Sequence, residues 1–444
     1  PWGGHSVSPR LVRALGGPSR GGASKTAVVA SRLFGAVAGS AVSNGVATGV
    51  MTMRLMRRTG LAPHQAGAIE AVASTGGQLL PPIMGAAAFL MAELLQVSYS
   101  TIALAALIPA LLYYIAIFIV IDLLAGRNGI GRIDRSTVPS LKTILSKGWH
   151  YIIPFVVIVW SLFIWNRPPE TAAAFGIFSV LALWLLLPGY VGRLRIRSVF
   201  TSLISAGHAS VGMLMIGAAA GIIIGTLNIS SVGFALTLAL VDLSDGNVLT
   251  LLVMGAAVCI VLGMGMPTVG VYILLASLVA PSLVQLGIPL ITAHLFVLYY
   301  GMMSMITPPV AIAAFAGAKL AGATPMRTAV SAIKFGWTAY IIPFLFVFEP
   351  ALTLEGSVAN ITVTLLFITA GIWALSIAII GYMSEVLSWP QRMLFGAIGI
   401  VLMLPKALAD WWVWAQAATL VGFLVLILVL SQRRRGRGAA LKEI

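Results

Sequence analysis

Apolar residues fill most of the chain in long blocks, which are separated by short charged, polar or glycine-rich stretches. The blocks are about 18–28 residues long, and a helix needs about 20 apolar residues to cross a bilayer. They do not alternate between apolar and polar positions, the pattern typical of a membrane β-barrel. The pattern therefore predicts an all-α polytopic membrane protein with about ten spanning helices. The predicted spans are 66–95, 99–125, 149–166, 171–190, 203–227, 291–320, 335–350, 358–382, 392–405 and 411–431.

Two further apolar blocks, 27–53 and 248–284, are interrupted near the middle by glycine and polar residues. Charge indicates how they sit, because cytoplasmic loops of membrane proteins are enriched in Lys and Arg. If both blocks are re-entrant hairpins, only Arg167 and Lys406 of the 27 basic residues lie outside the cell. The charges therefore predict a first hairpin that opens to the cytoplasm and a second that opens to the outside. Both termini are then cytoplasmic.

Composition excludes several other classes of protein. Only 9% of the residues are charged and 59% are hydrophobic, whereas soluble domains are about a quarter charged. In a membrane protein the net charge of +15 indicates orientation and, at the tail 433–437, contact with anionic lipid, rather than nucleic acid. One cysteine excludes a disulfide framework. The sequence has neither a phosphate-binding loop nor a catalytic arrangement, so we expect no ATP-driven step and no enzyme.

The two halves of the chain carry interruptions of the same kind in the same order. In each half, a hairpin broken by glycine and polar residues precedes an apolar helix that a double proline interrupts. An Ile-Pro pair within a further apolar helix follows in both halves, so the sequence predicts an internal repeat. The matched segments are Gly39–Gly45 with Gly263–Thr268, Gly76–Pro82 with Met302–Pro309, and Ile108-Pro109 with Ile342-Pro343, at offsets of 224, 227 and 234 residues.

Since the two hairpins are predicted to open to opposite sides, the repeats have inverted topology. Paired, interrupted segments in two inverted halves are typical of the binding site of a secondary transporter. Unwound backbone persists inside a membrane only where protein, water or a bound ion satisfies its polar groups. Simple kinks at glycine and proline are one alternative, and an ion channel with re-entrant loops is another. The matched order of the four interruptions favours the transporter.

The run Gly67–Glu93, with Ser74–Gln78 ahead of Pro81-Pro82, resembles the large membrane subunit of TRAP (tripartite ATP-independent periplasmic) transporters. The second half adds the similar segments Gly263–Thr268, Ile306–Val310 and Lys334–Trp337. Within that family, the sequence is most similar to the fused 4TM/12TM permeases of the TAXI type. The resemblance implies a sodium-driven elevator importer of an organic anion such as a dicarboxylate, in a bacterial or archaeal cytoplasmic membrane. A periplasmic substrate-binding protein and a small membrane subunit, fused or separate, are the implied partners.

The resemblance also implies where the coupling sodium ions bind, and no other cofactor or metal is expected. The family's sodium sites lie where each hairpin tip meets the neighbouring broken helix, and backbone carbonyls and side-chain oxygens suit this cation. At the first tip and broken helix the matching residues are Gly39, Ser40, Ser43, Asn44, Gly76, Gly77 and Gln78. At the second they are Gly263, Gly265, Met266, Thr268, Ser304 and Thr307. The predicted helix breaks are Pro81, Pro82, Pro267, Pro308 and Pro309.

The predicted organisation has five parts. They are a polar Gly/Arg-rich segment at 1–26, the first repeat at 27–125, linking helices and basic loops at 126–202, the second repeat at 203–350, and extra helices with a basic tail at 351–444. Residues 1–26 are too polar to span a membrane, and the family has more chain ahead of its first hairpin. We therefore expect an N-terminally truncated chain without the small subunit. Arg54 stands where the family has a proline.

Within transporters, the alternative is a free-standing sodium- or proton-coupled elevator carrier. Glu70 lies inside a predicted span, where a carboxylate is a functional candidate because charge is costly in a bilayer. A hydrogen-bonded structural role fits Glu70 equally well. The sequence shows no convincing pair of buried carboxylates, which favours sodium over protons. An intramembrane enzyme is disfavoured because no cluster of acids, bases or metal ligands is present.

Overall fold

The computed structural model describes residues 19–131, 149–186, 196–405 and 411–440. Within these ranges the chain folds into helices and has no β-strand, and seven helices are long and apolar enough to cross a membrane. The predicted all-α polytopic membrane fold is confirmed. Residues 1–18, most of the basic loops at 132–148 and 187–195, and Lys406 lie outside the described residues.

The first repeat consists of a helical hairpin, a broken helix and a long helix. Its elements are α1 (Gly22–Ala38), α2 (Ala41–Arg58), α3 (Pro63–Gly76), α4 (Ala86–Leu94) and α5 (Tyr99–Arg127). Hairpin 1 (α1 and α2) is longer than the predicted 27–53, since its helices extend to Gly22 and Arg58. The break is correspondingly shorter than the predicted Gly39–Gly45. Gly39 adopts a left-handed conformation with φ 62° and Ser40 caps α2, so the following residues are already helical.

The double proline splits the next helix, as predicted. Break 1, defined here as residues 77–85, separates α3 from α4. Pro81 and Pro82 lack the amide hydrogens that would continue the helix, and the peptide bond between them is cis. The amide of Gly85 instead donates to the carbonyl of Gln78 at 2.9 Å, which closes the loop.

The middle of the chain forms a helical pair, a long helix and a short helix. They are α6 (Ile152–Phe163), α7 (Pro169–Leu186), α8 (Ile196–Ser230) and α9 (Val232–Ser244). Helices α6 and α7 pack against each other. Helix α8 is longer than the predicted span 203–227 and exposes most of its apolar side chains, as a lipid-facing helix does.

The elements of the second repeat again form a hairpin, a broken helix and further helices, in that order. They are α10 (Val248–Gly263), α11 (Thr268–Leu278), α12 (Ala280–Gln285), α13 (Leu290–Met303), α14 (Ile312–Ala321), α15 (Pro325–Phe335) and α16 (Thr338–Phe348). Hairpin 2 comprises α10 to α12, and break 2 covers 304–311. Instead of the predicted span 335–350, helix begins at Pro325 and is interrupted between Phe335 and Thr338. The inversion of the repeats across the membrane and the five-part division stay predictions.

Three C-terminal helices follow: α17 (Val358–Ile380), α18 (Trp389–Met403) and α19 (Trp412–Ala440). Helices α17 and α18 form a close pair, and α5 packs on α17. Six of the seven long helices correspond to predicted spans, and the seventh, Thr268–Gln285, lies in hairpin 2. Two of the other four predicted spans are divided into short halves by the double prolines. Helices α6 and α18, with 12 and 15 residues, also fall below the length required.

The two repeats interlock through their broken helices. Helix α14, from the second repeat, packs against α2 and α3 of the first, and α4 packs against α11. Where α3 and α14 cross, Gly67 and Gly317 bring the two backbones together. A β-carbon added at Gly317 would lie 2.5 Å from the carbonyl oxygen of Gly67. Small residues that permit such close crossings are typical of membrane helix interfaces.

Candidate functional site

Three of the predicted tip residues of hairpin 1 lie away from break 1. Ser40 accepts a hydrogen bond from the amide of Ser43 at 3.4 Å and thereby caps α2. Ser43 is exposed, and a β-carbon added at Gly39 would meet open space. The structure therefore does not pack Gly39, Ser40 and Ser43 against break 1.

Asn44, the fourth predicted tip residue, points inward. It is fully buried, and its Nδ2 donates to the carbonyl of Ser31 at 2.8 Å and lies 3.2 Å from the Ser31 hydroxyl. That hydroxyl pairs with Ser74 of α3 at 2.9 Å. The Oδ1 of Asn44 is buried without a hydrogen-bond partner among the described residues. A buried, unsatisfied oxygen is costly unless something else binds it.

Break 1 approaches hairpin 1 at backbone distance. A β-carbon added at Gly35 would lie 3.0 Å from the α-carbon of Gly77 and 2.8 Å from Nδ2 of Asn44. The ring of Tyr113 covers Gly76, where an added β-carbon would lie 2.2 Å from a ring carbon. A side chain at Gly76 or Gly35 would therefore force these neighbours to move.

Gln78 supplies the second unsatisfied oxygen of this region. Its side chain is 3% exposed, and neither Oε1 nor Nε2 has a hydrogen-bond partner among the described residues. Of the predicted first sodium set, the structure thus brings Asn44 and Gly77 into one junction, with Gly76 and Gln78 on either side of Gly77 in the chain. We call this junction site 1. Its amide oxygens, unpaired among the described residues, are ligands of the kind that a sodium ion prefers.

Sequence reasoning missed the tyrosines of α5 that organise break 1. The hydroxyl of Tyr99 donates to the carbonyl of Pro82 at 3.0 Å and accepts from the amide of Met84 at 2.9 Å. Tyr113 and Tyr114 donate to carbonyls at the end of α3, at 2.7 and 3.1 Å. Aromatic residues within an apolar helix give no sequence signal for these contacts.

Glu70 is buried in α3 beside hairpin 1. The hydroxyls of Thr48 and Thr52, both in α2, lie 2.5 Å from its two carboxyl oxygens. Each of these hydroxyls also lies within hydrogen-bond distance of a main-chain oxygen of α2. The predicted hydrogen-bonded role of Glu70 is therefore present in the structure.

Hairpin 2 meets break 2 through Ser304. Its hydroxyl lies 2.9 Å from the carbonyl oxygen of Gly263 and 2.6 Å from that of Gly301. The Thr268 hydroxyl contacts the sulfur of Met305 at 3.9 Å, a weak interaction. The structure thus brings Gly263, Thr268 and Ser304 together at a junction that we call site 2.

The remaining residues of the second set lie at the edges of site 2. Gly265, with φ 82°, is exposed, and Met266 is partly buried beside it. Pro267 precedes α11 as its N-cap, as the predicted helix break requires. The Thr307 hydroxyl donates to the carbonyl of Met303 at 2.6 Å and pairs with the hydroxyl of Tyr340 at 2.7 Å.

The rest of break 2 resembles break 1. Pro308 and Pro309 interrupt the helix and are joined by a cis peptide bond. The two sites differ in their polar atoms. The Ser304 hydroxyl of site 2 donates to a hairpin carbonyl, whereas site 1 has two buried amide oxygens without a partner among the described residues. Site 1 is therefore the better equipped of the two to accept a cation.

A helical membrane protein with two interlocked repeats, each a hairpin set against a broken helix, has the architecture of a secondary transporter. The family described as "Tripartite ATP-independent periplasmic transporter, DctM component" matches residues 8–361. The chain belongs to this family of large TRAP permeases, which are transporters and not enzymes. The match confirms the resemblance to TRAP large permeases found in the sequence.

Known relatives are distant in sequence, but they align with most of this chain. The C4-dicarboxylate TRAP transporter large permease DctM of Pseudomonas aeruginosa is 24% identical, over 78% of this chain and 81% of that protein. The sialic acid TRAP transporter permease SiaT of Haemophilus influenzae is 24% identical over 75% of this chain. The isethionate TRAP transporter permease DctMQ of Oleidesulfovibrio alaskensis is 21% identical over 70% of it. The aligned part spans about half the length of the last two proteins, 52% and 48%.

Proposed function

We propose that this chain is the permease subunit of a sodium-coupled importer of an organic anion in the bacterial or archaeal cytoplasmic membrane. The observation that carries the proposal is site 1, where the buried amide oxygens of Asn44 and Gln78 have no partner among the described residues. A sodium ion that takes such an oxygen as a ligand would offset the cost of leaving it buried without a partner. Site 2 would hold a second sodium ion after the Ser304 hydroxyl turns away from Gly263.

The solute class is inferred from the named relatives. C4-dicarboxylates, sialic acid and isethionate all carry a negatively charged group, and each names the solute of one relative. We take the solute of this chain to be an organic anion delivered by a periplasmic binding protein, with a small membrane subunit as third partner. The similarity of Gly67–Glu93 to the fused permeases of the TAXI type supports a TAXI-type binding protein as this partner.

The movement would be of the elevator type. Hairpins and broken helices of both repeats pack on one another, and the backbones of Gly67 and Gly317 meet where the repeats cross. Elements joined at backbone distance move together more readily than they slide. We therefore expect both hairpins and both broken helices to carry ions and solute as one unit against the remaining helices.

Uptake into proteoliposomes tests the proposal. The permease, with its small subunit and cognate binding protein, is supplied with radiolabelled succinate, N-acetylneuraminate or isethionate under an inward sodium gradient. Accumulation of one anion that requires both sodium and the binding protein supports the proposal. Uptake of one anion without the binding protein indicates a free-standing carrier, and failure of all three contradicts the proposal.

A proton is the second candidate for the coupling ion, and Glu70 is the observation that favours it. Each threonine hydroxyl beside Glu70 has one hydrogen but two acceptors within reach. A protonated carboxyl group would supply a further hydrogen to this cluster. Uptake driven by a pH gradient at equal sodium, and lost in Glu70→Gln, would identify the proton. Sodium-driven uptake that survives Glu70→Gln would exclude it.

A further inference from the structure

One basic side chain of hairpin 1 lies against break 1 rather than in a loop. Arg32 of α1 donates two hydrogen bonds from Nη2, to the carbonyl of Leu80 at 2.5 Å and to that of Pro81 at 2.6 Å. Residues three apart share a helix face, and Gly35 is the residue of α1 that approaches Gly77. Arg32 therefore lies on the face of α1 that forms site 1.

The charge of Arg32 has no counter-ion in the part of the chain that the structure describes. The ion pair found there joins Lys25 to Asp122 at 2.7 Å, and no described carboxylate lies within ion-pair distance of the Arg32 guanidinium. Charged side chains inside a membrane are costly and mark the paths of substrates and ions. A partly buried guanidinium without an anion is therefore a candidate for binding one.

The guanidinium also retains free donors. Both hydrogens of Nη2 are directed to break 1, whereas Nε and Nη1 have no hydrogen bond to the described residues. The N–H groups of arginine point in fixed directions in one plane. Arg32 can therefore hold the carbonyls of Leu80 and Pro81 on one side and donate to a second group on another.

The second repeat has no equivalent of this residue. The offset of 224 residues that aligns the two hairpin tips places Ala256 of α10 opposite Arg32. At this aligned position, positive charge is thus present in the first repeat only. The same repeat holds the amide oxygens of Asn44 and Gln78, which have no partner among the described residues.

From these observations we infer that Arg32 binds the negatively charged group of the transported solute through Nε and Nη1. The inference rests on the proposed function, and it adds the residue that recognises the anion. The anion would neutralise the guanidinium, while the cation at site 1 is held by neutral oxygens a few residues away. In a low-dielectric junction, the negative charge of the solute and the positive charge of the cation each reduce the free-energy cost of burying the other. Solute and cation are therefore expected to bind cooperatively.

The test uses Arg32→Gln and Arg32→Lys, with Arg392→Gln as matched control. Arg392, in α18, also donates to two main-chain carbonyls, those of Ala378 and Ile379, but these lie near the end of α17 and not in a helix break. Each variant of the full chain is assayed for uptake of whichever of succinate, N-acetylneuraminate and isethionate the wild type accumulates. The same anion is then titrated against the purified permease, with its thermal unfolding followed by tryptophan fluorescence.

We expect Arg32→Gln to weaken stabilisation by the anion and uptake by about ten- to a hundredfold, the effect of losing charge-assisted hydrogen bonds. Arg32→Lys should retain part of both, and Arg392→Gln should retain both. If Arg32→Gln lowers the melting temperature without anion but responds to the anion like the wild type, Arg32 is only structural and the inference is wrong. A wild type that accumulates an anion yet gains no stability from it also contradicts the inference. If no anion is accumulated, the proposed function itself fails, and the inference falls with it.

Discussion

At the scale of single residues, site 1 contains a polar group that lowers the stability of the fold but serves the proposed function. Gln78 buries an amide whose two polar atoms have no described partner, a state that costs about 1–3 kcal/mol. Such a group is maintained at a functional site although it destabilises the fold. Two predictions at this scale concern Gln78 and the pair formed by Thr307 and Tyr340.

Replacing Gln78 by Met removes the unsatisfied amide and keeps the side-chain length. We expect the free energy of unfolding without sodium to rise by about 1 kcal/mol. We also expect the sodium concentration for half-maximal uptake to rise about tenfold, the effect of about 1.4 kcal/mol of lost binding. Thermal unfolding and sodium-dependent uptake measure the two. Gln65→Met, at the other end of α3, is the control, and an unchanged sodium dependence in Gln78→Met would exclude Gln78 as a ligand.

At break 2, the hydroxyls of Thr307 and Tyr340 form a hydrogen bond of 2.7 Å. A double-mutant cycle of Thr307→Val and Tyr340→Phe should give a coupling energy of about 0.6 kcal/mol, the average for such bonds between membrane helices. The cycle is measured by thermal unfolding in detergent, with Tyr382→Phe as a tyrosine variant elsewhere in the chain. A coupling energy near zero would show that this hydrogen bond does not hold break 2.

The sequence predicted part of site 1 and missed the rest for a physical reason. Polar residues beside a helix break are visible in a sequence, so Asn44, Gly77 and Gln78 were predicted. The charge pattern groups Arg32 with the cytoplasmic basic residues that flank hairpin 1. Only the three-dimensional structure places its Nη2 on the carbonyls of break 1.

At the scale of helices, the main feature is the crossing of α3 and α14 at Gly67 and Gly317. The order of helices could be predicted from the repeated interruptions, since glycine and proline break helices locally. The crossing could not, because glycines are common throughout the chain and nothing in the sequence pairs these two. Helix ends were also misplaced by a few residues, because capping by Ser40 depends on local geometry.

Gly317→Ala tests the importance of the crossing. The added methyl group would lie 2.5 Å from the carbonyl oxygen of Gly67, which cannot move without shifting α3. We expect a loss of about 1–3 kcal/mol in the free energy of unfolding, as overpacking usually costs. Gly422→Ala, where the methyl group meets open space, should not destabilise the protein. Thermal unfolding in detergent compares them, and equal stability would contradict the close crossing.

At the scale of the whole molecule, charge predicts the orientation in the membrane. Glu349 and Glu355 flank the loop between α16 and α17, and the C-terminal tail, which starts with Arg433–Arg437 at the end of α19, is strongly basic. Because basic loops remain in the cytoplasm, the loop is expected outside and the tail inside. All-α architecture was predictable at this scale because segment length and composition alone decide it.

Reporter fusions measure this orientation. Alkaline phosphatase, which is active only outside the cytoplasm, should be active when fused after Gly356 and inactive when fused at the C-terminus. Green fluorescent protein should show the reverse pattern at the same two positions. Active alkaline phosphatase at the C-terminus would contradict the predicted topology and, with it, the inverted repeats.

The crossing of α3 and α14 also has a consequence for the biosynthesis of the protein. Gly67 and Gly317 are 250 residues apart (317 minus 67), so the face of α3 that meets α14 is made long before its cover. At about 5–20 residues per second, a ribosome leaves that face uncovered for roughly 12–50 s. During this interval the membrane insertion machinery has to cover the exposed face of α3. Slow translation before residue 322, the first residue after α14, prolongs the exposure.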